Sequence, residues 1–251
     1  VHAIGSGGRI VALEGISGVG KSRLAGRLAD ALPGSVLVRE AYDRIWPHPS
    51  LAVPDAPELL RIERTLLREE MRRYRESLRA RRDHRWVFAD TGFLGPLTYS
   101  MGLGELDRGG AVARSIRRAM VRAAEHGTLG APDLTFRLEA PLSTLRRRAT
   151  ADPTHHPEIW RERHLLVGER EQRLWSGPIG SVFGPRCVPL RAGGEGELVV
   201  GRIVRILARP DLPGPLSRRE GGRLLAAALR ALGPRSATVK KGGRRPPNPS
   251  T

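Results

Sequence analysis

The sequence is short of the features that mark secreted, membrane-spanning or base-stacking proteins. One cysteine, Cys187, among 251 residues cannot close an internal disulfide, and no Cys/His cluster has zinc-ligand spacing, so the fold must rest on core packing. No apolar run approaches the roughly 18 residues that cross a bilayer. Residues 1 to 8 have neither the apolar stretch nor the cleavage site of a signal peptide, so a cytoplasmic location with no membrane partner is expected. Aromatic residues, at 4%, are too sparse for the stacking platforms of single-strand binders. What is present, 39% hydrophobic and 27% charged residues, suffices for one α/β core.

Acidic residues are outnumbered, and the formal net charge of +17 raises the question of a nucleic-acid partner. The distribution answers against a specific one. Residues 209–251 hold ten basic and two acidic residues, almost half of the excess. This stretch is rich in Pro and Gly, carries few large apolar residues, and reads as a basic, largely disordered tail in which only Leu224 to Leu232 could form a short helix.

Short apolar runs bounded by turn signals alternate with longer helical patterns, the order of a parallel sheet wrapped by helices. The strands are expected at Arg9 to Glu14, Ser35 to Arg39, Trp86 to Ala89, Leu134 to Leu138 and Cys187 to Leu190. Their runs are continuous rather than alternating, as in strands buried on both faces. Helices are expected at Lys21 to Leu32, Pro57 to Arg82, Ala111 to His126, Leu142 to Thr150, Glu158 to Trp175 and Glu197 to Leu207. In the second of these Leu67, Met71, Tyr74 and Leu78 form a core stripe, and its arginines interleave with Glu69, Glu70 and Glu76 as surface ion pairs. The expected fold class is α/β: a three-layer sandwich with a five-stranded parallel sheet over residues 1–208, a helical lid at about 146–175, and the tail.

The segment Gly15-Ile16-Ser17-Gly18-Val19-Gly20-Lys21-Ser22 fits G-x-x-x-x-G-K-[S/T] between an apolar strand and an amphipathic helix. Its glycines let backbone amides close on a polyphosphate, and the helix after it adds exposed N–H groups and the positive end of its dipole. Lys21 would bridge the β- and γ-phosphates and Ser22 would ligate Mg²⁺, so ATP and Mg²⁺ are the expected cofactors. No Asn/Thr-Lys-x-Asp guanine reader is present. The third strand ends in a single acid, Asp90, rather than the acidic run followed by Glu of motor ATPases.

Several segments, in order, resemble the thymidylate kinase and deoxynucleoside kinase branch of P-loop kinases: Glu14-Gly15 opening the loop, Arg39-Glu40 after the second strand, Asp90 and the downstream Leu97-Thr98-Tyr99-Ser100, Pro132-Asp133-Leu134, and the arginine-rich stretch from Arg146 to Arg173. Arg191-Ala192-Gly193-Gly194-Glu195 is similar to the loop that packs against adenine. The resemblance spans roughly residues 9 to 208. It implies transfer of the γ-phosphate of ATP to a nucleoside monophosphate or nucleoside, and it allows a homodimer. The chain departs from the pattern at Ser17, where thymidylate kinases usually carry Asp, at Ala41, where a proline follows the acid, and at Thr91, where an arginine helps to hold the substrate. The last departure points away from ordinary dTMP.

On this resemblance Glu40 or Asp43 would orient or deprotonate an acceptor hydroxyl, and Arg161 and Arg163 of the lid, with Arg147 behind them, would neutralise charge on the transferring group. Gly15, Ser17, Gly18, Val19, Gly20, Lys21, Ser22, Arg147, Arg191 and Gly193 would hold the nucleotide, Ser22 and Asp90 the metal, and Arg64, Phe93 and Tyr99 the acceptor. Two other classes stay open: a kinase of the same architecture acting on a hydroxyl of a specialised metabolite or antibiotic, and a nucleotide-dependent regulator or nucleic-acid-linked ATPase.

Overall fold

A computed structural model describes residues 7–48, 55–104, 110–151, 162–193 and 196–232. Five strands, β1 (Arg9–Glu14), β2 (Ser35–Val38), β3 (Trp86–Asp90), β4 (Leu134–Glu139) and β5 (Cys187–Arg191), form one sheet in the order β2-β3-β1-β4-β5. Every pairing is parallel. Around it lie α1 (Lys21–Ala31), α2 (Ala56–Ala80), α3 (Gly95–Gly104), α4 (Gly110–Glu125), α5 (Leu142–Ala151), α6 (Glu162–Leu174), α7 (Gly180–Phe183), α8 (Gly196–Leu207) and α9 (Arg218–Ala231). All five expected strands are found, each within a residue at its C-terminal end.

β1 and β3 read as unbroken apolar runs because consecutive side chains feed two cores, whereas β4, expected as such a run, alternates Leu134, Phe136 and Leu138 with Thr135 and Arg137. Ile10 and Ala12 of β1 join Val87 and Ala89 of β3 in a core closed by α2, α3, α4 and α9. Val11 and Leu13 join Phe88 and Phe136 in the opposite core, closed by α1, α5 and α8. Parallel strands twisted between two helical layers need this double burial.

α3 and α7 lie outside the expected helices, and α9 begins at Arg218, ahead of the Leu224 to Leu232 stretch expected to form a short helix, and packs on the core where a solvated tail was expected. Leu225, Ala226, Ala228 and Leu229 are all buried. Gly221 and Gly222 explain the docking: a Cβ at Gly222 would meet the Ala124 carbonyl of α4 at 2.4 Å, and one at Gly221 the Tyr74 hydroxyl at 3.1 Å. Small residues let the two helices approach closely, so a segment poor in large side chains still packs. Ser217 caps α9 in a reciprocal box with Glu220, which satisfies two terminal N–H groups. Asp133 ties the leading segment to the sheet by accepting from Leu216 N at 2.5 Å and Ile10 N at 2.7 Å. Residues 233–251 lie outside the described residues. No helix among the described residues is long and apolar enough to cross a membrane.

α6, within the expected lid, rests on the loop after β1. A Cβ on Gly168 would fall 2.6 Å from Ile16, and one on Gly102 of α3 would fall 2.8 Å from Val167. Two glycines thus wedge α6 between that loop and α3. After α6 the helix passes through a wide turn at Trp175–Ile179, where Gly177 leaves helical geometry beside Pro178; proline there removes a backbone donor.

Candidate active site

Parallel strands all point their C-terminal ends to one edge, and the loops leaving β1, β2 and β3 there build the site. Because β3 pairs directly with β1, Leu13 lies opposite Asp90, so the acid ending β3 stands beside the glycine-rich loop with no strand between. Gly15, Gly18 and Gly20 take φ of 149°, 79° and 101°, angles that side chains resist. Gly15 is constrained twice, since a Cβ would also meet the Leu138 carbonyl at 2.6 Å. Val19 is buried, its N–H donating to the Ile16 carbonyl at 3.1 Å, while Ser17 is exposed at the tip. Lys21 opens α1 and folds back, donating from Nζ to the Gly15 carbonyl at 2.9 Å and reaching the Ile16 carbonyl at 3.5 Å.

Asp90 is buried, its Oδ1 has no hydrogen-bond partner, and the Ser22 hydroxyl donates to its carboxyl group. Burial raises the Asp90 pKa, against the Ser22 bond and the charges of Lys21 and Arg73. A hydroxyl and an orphaned carboxylate oxygen side by side suit Mg²⁺, which takes few protein ligands and fills its sphere with phosphate oxygens and water. No group of three or more His, Cys, Asp or Glu side chains able to hold a metal occurs among the described residues, consistent with that sparse mode.

Glu40, half-buried after β2, lies within electrostatic reach of Lys21, Asp90, Asp43 and Arg73, and burial raises its pKa. Asp43 is exposed on a single helical turn, Tyr42–Arg44, which Arg44 fastens to α2 through Glu69 at 3.0 Å and Glu76 at 2.8 Å.

The residue that organises the ends of β2 and β3 is one the sequence reading missed. Arg73 of α2 is fully buried. Its Nε donates to the Arg39 carbonyl at 2.6 Å, Nη1 to Glu70 at 2.5 Å, and Nη2 to the carbonyls of Asp90 at 2.7 Å and Thr91 at 3.1 Å. It therefore braces the segments that present Glu40 and Asp90. Thr91 needs this support: its φ of 64° is a costly conformation for a β-branched residue. Glu14 completes the clamp by accepting from Gly92 N at 2.9 Å.

Other carboxyls converge here. Burial pushes Glu14 up to about 8, and Glu70 and Glu171 up to about 7. Burial also raises Glu63 well above the usual carboxylate range. Glu171 of α6 accepts from the Thr98 hydroxyl of α3 at 2.7 Å. The signal for Glu63, Glu70 and Arg73 was available: Glu63, Leu67, Glu70, Tyr74 and Ser77 recur at three- and four-residue steps, so polar residues occupy core positions of one helical stripe.

The remaining expected residues divide. Tyr99 is half-buried against the α2–α4 core. Phe93 is a core residue rather than a wall of an acceptor site: it is 1% exposed, edge-on to Tyr74 at 5.4 Å, with the Arg73 guanidinium 5.5 Å above its ring. Arg64 is exposed beside Leu60 and Met71, about a quarter-turn round α2 from Glu63. Arg147 is exposed. Its neighbour Arg148 makes the contact instead, donating to the Val19 carbonyl at 3.0 Å and the Ala192 carbonyl at 2.8 Å, and so joins the glycine-rich loop to the segment bearing exposed Arg191 and Gly193. Arg161, and the side chain of Arg163, lie outside the described residues.

Comparison with known proteins follows the same outline. Residues 10–127 match the family model described as an AAA domain. A deoxyadenosine kinase from M. mycoides with bound dATP superposes with a TM-score of 0.63 at 11% identity, over 80% of this chain and 100% of that one. The fold is that of the P-loop nucleoside and nucleotide kinases. A thymidylate kinase from Candida albicans superposes on the same P-loop kinase framework with a TM-score of 0.55 at 12% identity, over 81% of this chain and 92% of that one. No curated protein sequence matches the chain significantly.

Proposed function

We propose that the chain is an ATP-dependent phosphotransferase that moves the γ-phosphate of ATP to a nucleoside monophosphate or a nucleoside. The observation that carries this reading is the convergence of Lys21, Asp90 and Glu40 at the ends of three adjacent parallel strands. Phosphoryl transfer demands alignment and charge neutralisation more than covalent help. The loop amides and Lys21 hold the donor. Ser22 and Asp90 would hold Mg²⁺, which supplies charge neutralisation between the β- and γ-phosphates. Glu40 orients an acceptor hydroxyl and takes its proton; burial raises its pKa and so strengthens it as a base. Arg148 keeps the donor loop in register with the segment where adenine would lie, and Arg161 and Arg163 would close from the lid. A phosphate acceptor would need no base, so the placement of Glu40 favours the nucleoside over the monophosphate.

Thr91 favours the second reading, a kinase acting on a hydroxyl of a specialised metabolite or antibiotic, because the cation expected after Asp90 to grip a nucleotide is missing. A nucleotide-dependent regulator or nucleic-acid-linked ATPase has the AAA description in its favour. The lone acid at the end of β3 argues against it, since hydrolysis also needs a group to activate water.

Titration calorimetry with Mg²⁺ and ATP tests the donor half, and Lys21→Ala tests the chemistry. The variant is expected to keep its circular dichroism spectrum and to lose ATP turnover by at least about a thousandfold. Undiminished phosphate transfer would contradict the assignment.

A further inference from the structure

Among the described residues this site holds more carboxyls than cations. Among the described residues, the charged groups that act on Glu14, Glu40, Glu63, Glu70, Asp90 and Glu171 include two cations, Lys21 and Arg73, Arg161 and the side chain of Arg163 lying outside that set. Lys21 belongs to the donor phosphates. Arg73 spends its donors on Glu70 and on three backbone carbonyls. Thr91 stands where a cation could meet an acceptor phosphate. Once the donor is bound, an anionic acceptor meets carboxylates and no cation among these groups.

A second observation is independent of that balance. Glu63 is 1% exposed and Ser100 fully buried, yet neither carboxyl oxygen of Glu63 nor the hydroxyl of Ser100 has a well-formed hydrogen bond. The two lie together, with Glu171 close enough to raise the Glu63 pKa further. Buried acceptors left unsatisfied are costly. A group with several N–H donors and a positive charge would satisfy them, and an ammonium has three such donors.

Resting on the kinase reading above, we propose that the acceptor is an alcohol bearing a protonated amine, its ammonium held by Glu63 and Glu171 and its hydroxyl presented to Glu40. In the transfer the hydroxyl oxygen bonds to the γ-phosphorus as the bond from that phosphorus to the β–γ bridging oxygen breaks. ADP leaves with the electron pair, and the hydroxyl proton passes to the Glu40 carboxylate. The ammonium takes no part in the bond changes; it fixes the acceptor and offsets the surrounding negative charge.

The test uses the full chain with Mg²⁺ and ATP, following ADP release and product mass across amino sugars and aminocyclitols, their N-acetylated counterparts, nucleosides and nucleoside monophosphates. At least one amine should be phosphorylated, with kcat/KM at least tenfold above its N-acetylated form, and the monophosphates should be poor acceptors. Glu63→Gln and Glu171→Gln should each raise KM for that amine at least tenfold while leaving ATP affinity unchanged. These variants replace a carboxyl by an amide of nearly the same volume, and thermal melting confirms that they fold. A monophosphate as best acceptor, an N-acetylated form equal to its amine, or an unchanged KM in both variants would overturn the proposal, as would ATP binding with no phosphorylated amine in the panel. Absence of any heat with Mg²⁺ and ATP would overturn the kinase reading itself, a distinct outcome.

Discussion

The donor and acceptor sides of the site are built from different materials. The donor side is mostly backbone: three glycines with positive φ, the exposed N–H groups at the start of α1, and carbonyls that anchor Lys21 and Arg148. The acceptor side is mostly side chain: carboxyls from α2, α6 and β1, with Arg73 fastening Glu70 of α2 to the ends of β2 and β3. Backbone sites are set by spacing along the chain and show in a motif. Side-chain sites depend on which helix faces which, and three helices must pack before the carboxyls meet. Substrate choice is therefore free to change on the acceptor side while the donor grip stays fixed.

The largest effect that would sharpen this contrast comes from the helix closing the acceptor-side core. Deleting residues 209–251 removes α9 with its buried Leu225 and Leu229 and uncovers the α2–α4 core on which they pack. At about 1.5–3 kcal/mol for each large apolar side chain the loss is on the order of 5 kcal/mol, and the truncated chain should melt far lower or fail to fold. Deleting only residues 233–251 should leave the melting temperature and ATP turnover unchanged. Equal behaviour of the two truncations would refute the packing role of α9.

Next in size is Arg73→Met, which leaves Glu70 buried without its partner. Breaking a buried pair costs about 3–5 kcal/mol, so the melting temperature should drop by roughly 10 °C. The double variant with Glu70→Gln should recover part of that loss, which a double-mutant cycle measures. ATP affinity, a donor-side property, should change far less than kcat; a matching loss of both would break the division between the two sides.

Glu40→Gln should lower kcat for a hydroxyl acceptor by at least about tenfold with KM for ATP unchanged. An unaltered rate would shift the base to Asp43 or the acceptor to a phosphate. The smallest effect is expected from Arg148→Ala. Losing two hydrogen bonds from a charged group to carbonyls should raise KM for ATP about fivefold, with kcat little changed. If Arg147→Ala does this instead, the exposed neighbour is the functional one.

The sheet was legible because Ile10 to Leu13 and Trp86 to Ala89 are apolar without alternation, a pattern that few structures other than a doubly covered parallel strand require. The loop from Gly15 to Ser22 was legible because its residue types are demanded by backbone angles. α9 was not, because its packing rests on Gly221 and Gly222, residues whose usual meaning in a sequence is a turn. Arg73 and Glu70 were read as surface charge because an arginine and a glutamate three residues apart on a long helix usually are. Helical spacing places both on the core side of α2, but the partners met there, Phe93 and the end of β3, are tertiary facts that spacing does not contain.

The ammonium of Lys21 is already engaged with oxygens of its own turn, and this shapes how tightly a triphosphate can be gripped. An incoming anion does not find an idle charge; it competes with two peptide carbonyls for one. Binding is then an exchange of partners, its strength a difference between two attractions.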